Sequence, residues 1–241
     1  MANNGHTSRQ YDAELESVRE RVLSMGELAG KQVLLAIDAL IRNNVELVDR
    51  IIDEDHHVNA LEVEIDERCT RIIARRQPTA VDLRMVTMII KTITDLERIG
   101  DEAKKIAIAA KTLSQRKNLT LPRFDKIKHV ADLTLDMLIK SLNAFAKLDI
   151  SAVAQVVRQD EQVDEEFRAV IRYLVTFMME DPRTISSALE ILFVAKSIER
   201  IGDHAKNMSE YVVYMVKGRD VRHITADEIE REVRKYLPNY Q

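Results

Sequence analysis

The sequence predicts an all-α fold: two tandem three-helix bundles related by internal duplication. Three observations predict it. The first is composition: 241 residues hold only six glycines and four prolines, with no tryptophan. Leu, Ile, Val, Ala, Glu, Lys and Arg dominate, and most of these lose little on entering a helix, whereas Gly and Pro lose much. The second is a repeated pentapeptide. Glu97-Arg98-Ile99-Gly100-Asp101 returns 102 residues later as Glu199-Arg200-Ile201-Gly202-Asp203, and Ala103-Lys104 is echoed by Ala205-Lys206. Chance repetition of five residues in a chain this long has a probability on the order of one per cent. The third is that no segment shows strand alternation.

The elements follow in order. The apolar period and the breaks predict helices over 9–43, 45–75, 80–113, 124–147, 150–180 and 184–217. Asn44 and Asp149 are placed to cap the second and fifth. Pro78, followed by Thr79 and Asp82, marks a turn and a capping box that opens the third. Pro182 in Asp181-Pro182-Arg183-Thr184 plays the same part for the sixth. Pro122 lies in the polar stretch 114–123, which reads as the linker between halves. Thr225 and Glu228 form another capping box, so a short seventh helix is expected in the C-terminal tail, which also holds Pro238. The domains are then 9–113, 124–217 and a tail, 218–241. Tight turns between long helices make antiparallel neighbours.

The third helix carries Ile89, Ile93, Leu96, Gly100, Ala103, Ala107 and Ala110 at alternating four- and three-residue steps. The sixth carries Ile191, Ala195, Ile198, Gly202 and Ala205 in the same register. This is a coiled-coil-like seam. Gly100 and Gly202 sit on it in mid-helix, where each costs about 1 kcal/mol relative to Ala. Close helix approach, or close approach of backbone to a ligand, would account for them.

The second and fifth helices carry an irregularity. Asp160 interrupts the apolar line Val156, Val163, Phe167, Val170, Leu174, Phe177. Asp55 does the same among Ile51, Val58, Ile65, Cys69 and Ile72. A carboxylate on a core stripe is unfavourable unless it is paired or ligates a metal. Four residues further on stand Asn59 and Asp164, on the same helix face. Counting from each turn brings Asp55/Asn59 level with Glu97/Asp101, and Asp160/Asp164 level with Glu199/Asp203, within about one helical turn. Each half thus assembles up to four oxygen donors. Such a set suits Mg, Mn, Fe or Zn ions, divalent or trivalent. The alternative is that Arg98 and Arg200, or Lys104 and Lys206, neutralise the acids as ordinary ion pairs.

Other signals are weaker. The formal net charge is −4, with mixed signs and no basic stripe, against a nucleic-acid binder. Cys69 is the lone cysteine, read as a core residue in a reducing compartment. The polar N-terminus lacks a signal-peptide core, and no apolar run reaches the ~20 residues of a membrane span, so a cytoplasmic protein is expected. His56, His57 and His204 neighbour the acids but have no duplicates, and are read as solvent-exposed. A single Glu-x-x-His, Glu54 to His57, falls short of the two that a di-iron oxidase needs. No catalytic constellation is visible, so no enzyme is expected. A metalloprotein with redox or hydrolytic activity is the competing reading.

Several segments resemble the PhoU family of bacterial phosphate-transport accessory proteins. They are residues 72–80 (Ile-Ile-Ala-Arg-Arg-Gln-Pro-Thr-Ala), the two Glu-Arg-Ile-Gly-Asp strings, residues 177–185 (Phe-Met-Met-Glu-Asp-Pro-Arg-Thr-Ile) and residues 216–223. The resemblance runs from about Tyr11 to Ile224. It implies two similar three-helix bundles and a Glu/Asp-x-x-x-Asp pattern associated with multinuclear metal binding, falling on Glu97/Asp101, Asp160/Asp164 and Glu199/Asp203. Asp55/Asn59 departs from that pattern, because Asn is a weaker, neutral ligand. The resemblance further implies a negative regulator of the phosphate-starvation (Pho) regulon. Such a protein couples the ATPase of the phosphate ABC transporter to a PhoR-type sensor histidine kinase. It is cytoplasmic and often a homodimer, and it meets the membrane only through those partners.

Overall fold

A computed structural model describes residues 9–115, 122, 124–222 and 224–234. Its helices are α1 (Arg9–Arg42), α2 (Glu46–Arg76), α3 (Ala80–Ser114), α4 (Asp125–Lys147), α5 (Val153–Glu180), α6 (Ile185–Lys217) and α7 (Ala226–Arg234), with a 3-10 turn at Pro182–Thr184. No strand occurs among the described residues. Nor is any described helix long and apolar enough to cross a membrane. The stretch 116–121, most of the expected linker, lies outside the described residues, as do Pro238 and the rest of 235–241.

Local chemistry sets the boundaries. The Asn44 side chain accepts from the Glu46 amide at 3.2 Å, and Asp149 accepts from the Ser151 amide at 2.9 Å. Both therefore act just ahead of their helices. Thr79 is the N-cap of α3 and its hydroxyl donates to Asp82 at 3.1 Å. The Thr225–Glu228 box is reciprocal: the Thr225 amide donates to Glu228 at 2.8 Å, and the Glu228 amide to the Thr225 hydroxyl at 3.3 Å. At the other ends, Gln77, Leu148 and Gly218 adopt left-handed conformations that stop α2, α4 and α6.

Helices α1–α3 form one bundle and α4–α6 the second. They join through the extensive α3–α6 contact and a smaller α1–α4 contact. Across α3–α6, Asp95 meets His204 and Glu102 meets Arg200. Low numbers pair with high ones, so the helices run antiparallel. Ile99 and Ile201, equivalent in the repeat, fall at the middle and are fully buried. The seam residues Ile89, Ile93, Leu96, Ala103 and Ala107 and their α6 counterparts are buried as predicted. Cys69 is fully buried, and burial pushes its thiol up to about 12, so it is an inert core residue. The described part of the tail is docked: α7 packs on α5 through Ile229 and Val233, and Arg158 pairs with Asp227 at 2.9 Å and with Glu230.

Two glycines separate sharply here. A Cβ on Gly26 would lie 2.3 Å from Leu142 Cδ2, where α1 crosses α4, whereas one on Gly202 would meet nothing closer than 3.7 Å. Gly26→Ala is expected to be neutral or to destabilise by about 1 kcal/mol, because the half-buried Leu142 side chain must swing aside, which offsets the helix-propensity gain. Gly202→Ala is expected to stabilise by roughly 0.5–1 kcal/mol through helix propensity. Urea unfolding of the two variants checks the pair, and equal effects would contradict it.

Candidate functional site

The interrupted stripes resolve into two matched contacts. Asp55 is 1% exposed, and Lys104 Nζ donates to its Oδ2 at 2.8 Å. Asp160 is 7% exposed, and Lys206 Nζ donates to its Oδ2 at 2.7 Å. The lysines are the echoed ones that follow each Glu-Arg-Ile-Gly-Asp string. The duplication therefore preserved an inter-helix ion pair, α2 to α3 in one bundle and α5 to α6 in the other. Salt bridging through lysine, one of the two readings open at the sequence level, holds for these two acids.

The lysines leave part of each seam unanswered. Asp55 Oδ1 and Asn59 Oδ1 are buried with no hydrogen-bond partner. Gly100 lies against Asp55: a Cβ there would meet Gln32 Oε1 at 3.0 Å and Asp55 Oδ1 at 3.6 Å. Glu97 and Asp101 flank this point. Burial first, then Asp101, Glu62 and Asp55, raise the Glu97 carboxyl above its ordinary range. Glu62 is itself raised, by burial and by Asp66. Glu62 was missed in the sequence, although it stands three residues past Asn59 on the same α2 face. It supplies an acid where Asn59 lacks one.

The second seam is built differently. Glu199 is buried and receives Lys196 at 2.5 Å, and Asp164 pairs loosely with Arg168 at 3.6 Å. Asp203 reaches solvent on one side. Burial of the other side, then Glu199 and Asp160, push it up to about 6. The repeat places Phe167 where the first half has Glu62, and Lys196 lies 5.5 Å from the Phe167 ring centroid. Among the described residues no three His, Cys, Asp or Glu side chains converge as a ready ligand group.

The histidine reading is corrected in one case. His56 and His57 are exposed, but His204 is buried at 8%, its Nδ1 2.8 Å from Asp95 Oδ1 across the α3–α6 contact. The repeat aligns His204 with Glu102, which receives Arg200 at 3.0 Å in the same contact. Each half thus contributes one polar anchor to the bundle junction. Asp95 carried no sequence signal of its own, because its partner lies on the other bundle.

These features define a class: a duplicated, all-helical protein with a carboxylate–lysine seam in each bundle. Family comparison agrees. The PhoU domain model matches residues 22–110 and 127–212, one copy in each bundle. The chain is 48% identical over 228 residues to the phosphate-specific transport system accessory protein PhoU of Serratia marcescens, covering 95% of this chain and 93% of that one. The Escherichia coli (strain K12) protein of the same name is 46% identical over 229 residues, covering 95% and 94%. The crystal structure of PhoU from Pseudomonas aeruginosa superposes with a TM-score of 0.84 at 44% identity, over 87% of this chain and all of that one. A phosphate transport system regulatory protein PhoU from Streptococcus pneumoniae gives 0.81 at 30% identity, over 88% and 99%. The chain belongs to the PhoU family.

Proposed function

We propose that this chain is the cytoplasmic accessory and regulatory protein of a phosphate-specific transport system. It acts without catalysis of its own, as a negative regulator of the phosphate-starvation response. It links the transporter ATPase to a PhoR-type sensor histidine kinase and restrains uptake when phosphate is plentiful. The observation that carries this reading is a match through both repeats, at 46–48% identity over 95% of the chain, to proteins named for that system. Deleting the gene is expected to switch on phosphate-starvation genes in phosphate-rich medium. Unchanged transcript levels would reject the reading.

A cation in each seam belongs to the same proposal. The donors would be Asp55, Asn59, Glu97 and Asp101 in the first bundle and Asp160, Asp164, Glu199 and Asp203 in the second. Their oxygen chemistry fits a hard divalent or trivalent ion such as Mg, Mn, Fe or Zn. The orphaned Asp55 and Asn59 oxygens support the fit, whereas Lys104 and Lys206 compete with any cation for Asp55 and Asp160. Metal analysis by mass spectrometry is expected to find bound metal in the wild type and a reduced content in Asp101→Ala/Asp203→Ala. Equal or absent metal in both proteins would remove the cation from the proposal.

A further inference from the structure

Between the N-terminal third of α3 and the C-terminal third of α6 lies a cleft of about 470 Å³, bordered by Asp220 and Arg222. That volume suits a small organic ligand. Two cations in it lack acidic partners among the described residues. Arg84 Nε is buried with no hydrogen-bond partner, and among the described residues Lys91 forms no salt bridge. Both are held in place by other means. Gly218, with φ 69°, lies against the Arg84 guanidinium, and a Cβ there would approach its Cζ to 3.2 Å. Lys91 Nζ sits 5.8 Å from the Tyr211 ring centroid. The third cation, Arg222, is already bonded to Asp220. The remaining acid, Glu210, is 4% exposed, and burial pushes it up to about 7, which weakens its claim on the cations.

The scaffold alone does not demand this chemistry. At the opposite end of the α3–α6 contact the repeat puts Ser186 in place of Arg84, Phe193 in place of Lys91, Ile108 in place of Glu210 and Ala109 in place of Tyr211. That end presents Ile185, Leu189, Phe193 and Ile108 to solvent instead. One end of a duplicated groove became apolar, and the other gathered unpaired cations beside apolar and aromatic surface.

We propose that this cleft binds a small organic phosphate. Its anionic head lies on Arg84 and Lys91, and its flat or apolar body lies on Tyr214, Leu83 and Met88. Arg84 and Lys91 stand seven residues apart on one face of α3, about 10 Å along its axis, so a phosphoryl group lodged between them would meet both long cationic side chains. The site is separate from the carboxylate seams and independent of the regulatory role proposed above.

Calorimetric titration of the full chain with adenosine monophosphate, inorganic phosphate and adenosine tests it. Adenosine monophosphate is expected to bind, inorganic phosphate to compete with it more weakly, and adenosine not to bind. Arg84→Gln is expected to weaken the nucleotide roughly ten- to a hundredfold, and Lys91→Gln about tenfold. Lys91 is partly exposed and touches only a ring face, so its variant keeps the test valid if Arg84→Gln fails to fold. Four results would overturn the proposal: no binding at millimolar nucleotide, adenosine binding as tightly, inorganic phosphate binding as tightly, or affinity unchanged in Lys91→Gln.

Discussion

Replacing Lys206 by Met is expected to lower the unfolding free energy by about 2–3 kcal/mol. Asp160 lies in the core and its charge is answered by one ammonium at 2.7 Å. Removing that ammonium strands a buried carboxylate, which must then protonate or draw in water. The loss stays below the 3–5 kcal/mol typical of fully buried pairs, because the Lys206 side chain is 30% exposed and partly screened. The titration of the pair agrees with this picture. Burial, helped by the Asp164 charge, raises Asp160 by more than Lys206 lowers it. Burial opposes the charge on Lys206, but Asp160, Glu210 and Asp203 together hold it in the charged form. Each group therefore depends on the other, with the acid under the greater strain. The double variant Lys206→Met/Asp160→Asn is expected to recover most of the loss, because both charges then leave together. Urea unfolding at pH 7.5 measures the cycle; a single-variant loss under 0.5 kcal/mol would sink the idea. Lys104→Met is expected to behave alike, since Asp55 is still more deeply buried.

That symmetry was legible in the sequence because two signals coincided. A polar residue on an apolar stripe has one meaning locally, and its recurrence in both halves removed chance. The stripe told that Asp55 and Asp160 needed a partner. It did not choose between lysine and a metal, since both neutralise a carboxylate and both lie within one helical turn. The helix boundaries were legible because caps act through neighbours two or three residues away, as at Asn44, Asp149 and Thr225. The bundle junction was not legible. Asp95 and His204 are 109 residues apart, and their burial follows from the antiparallel α3–α6 packing, which no local period encodes. Reading His204 as exposed followed from its lack of a duplicate. In fact the repeat substituted it for Glu102, so that the two halves brought different polar anchors to one contact. Glu62 was overlooked for a related reason: matching by repeat favours positions that both halves keep, and Phe167 occupies its place in the second.

Glu210→Gln is expected to raise stability by roughly 2–3 kcal/mol at pH 8 and to change it little at pH 4. Glu210 is buried on α6, facing Lys206 on its own helix, Asp160 on α5, and Asp220 and Arg222 beyond the helix end. Burial dominates, and its carboxyl moves from 4.5 in an unfolded reference to about 7. Between those values the native state holds a proton that the unfolded chain has released. Stability therefore falls as pH rises, fully present below the unfolded value and lost through pH 7. Asp203, raised to about 6, acts in the same direction, screened by its contact with solvent. The lowered carboxyls Glu14, Glu54, Glu228 and Glu230 act oppositely, but only as pH falls below their ordinary 4.5. The wild type is accordingly expected to be most stable near pH 5 and less stable at pH 8. An amide of the same shape cannot ionise, so it should flatten this slope. Thermal melts from pH 4.5 to 8.5 compare the two proteins. Parallel curves would show that Glu210 ionises as freely in the folded chain as in the unfolded one, and the uncompensated burial assigned to it would be wrong.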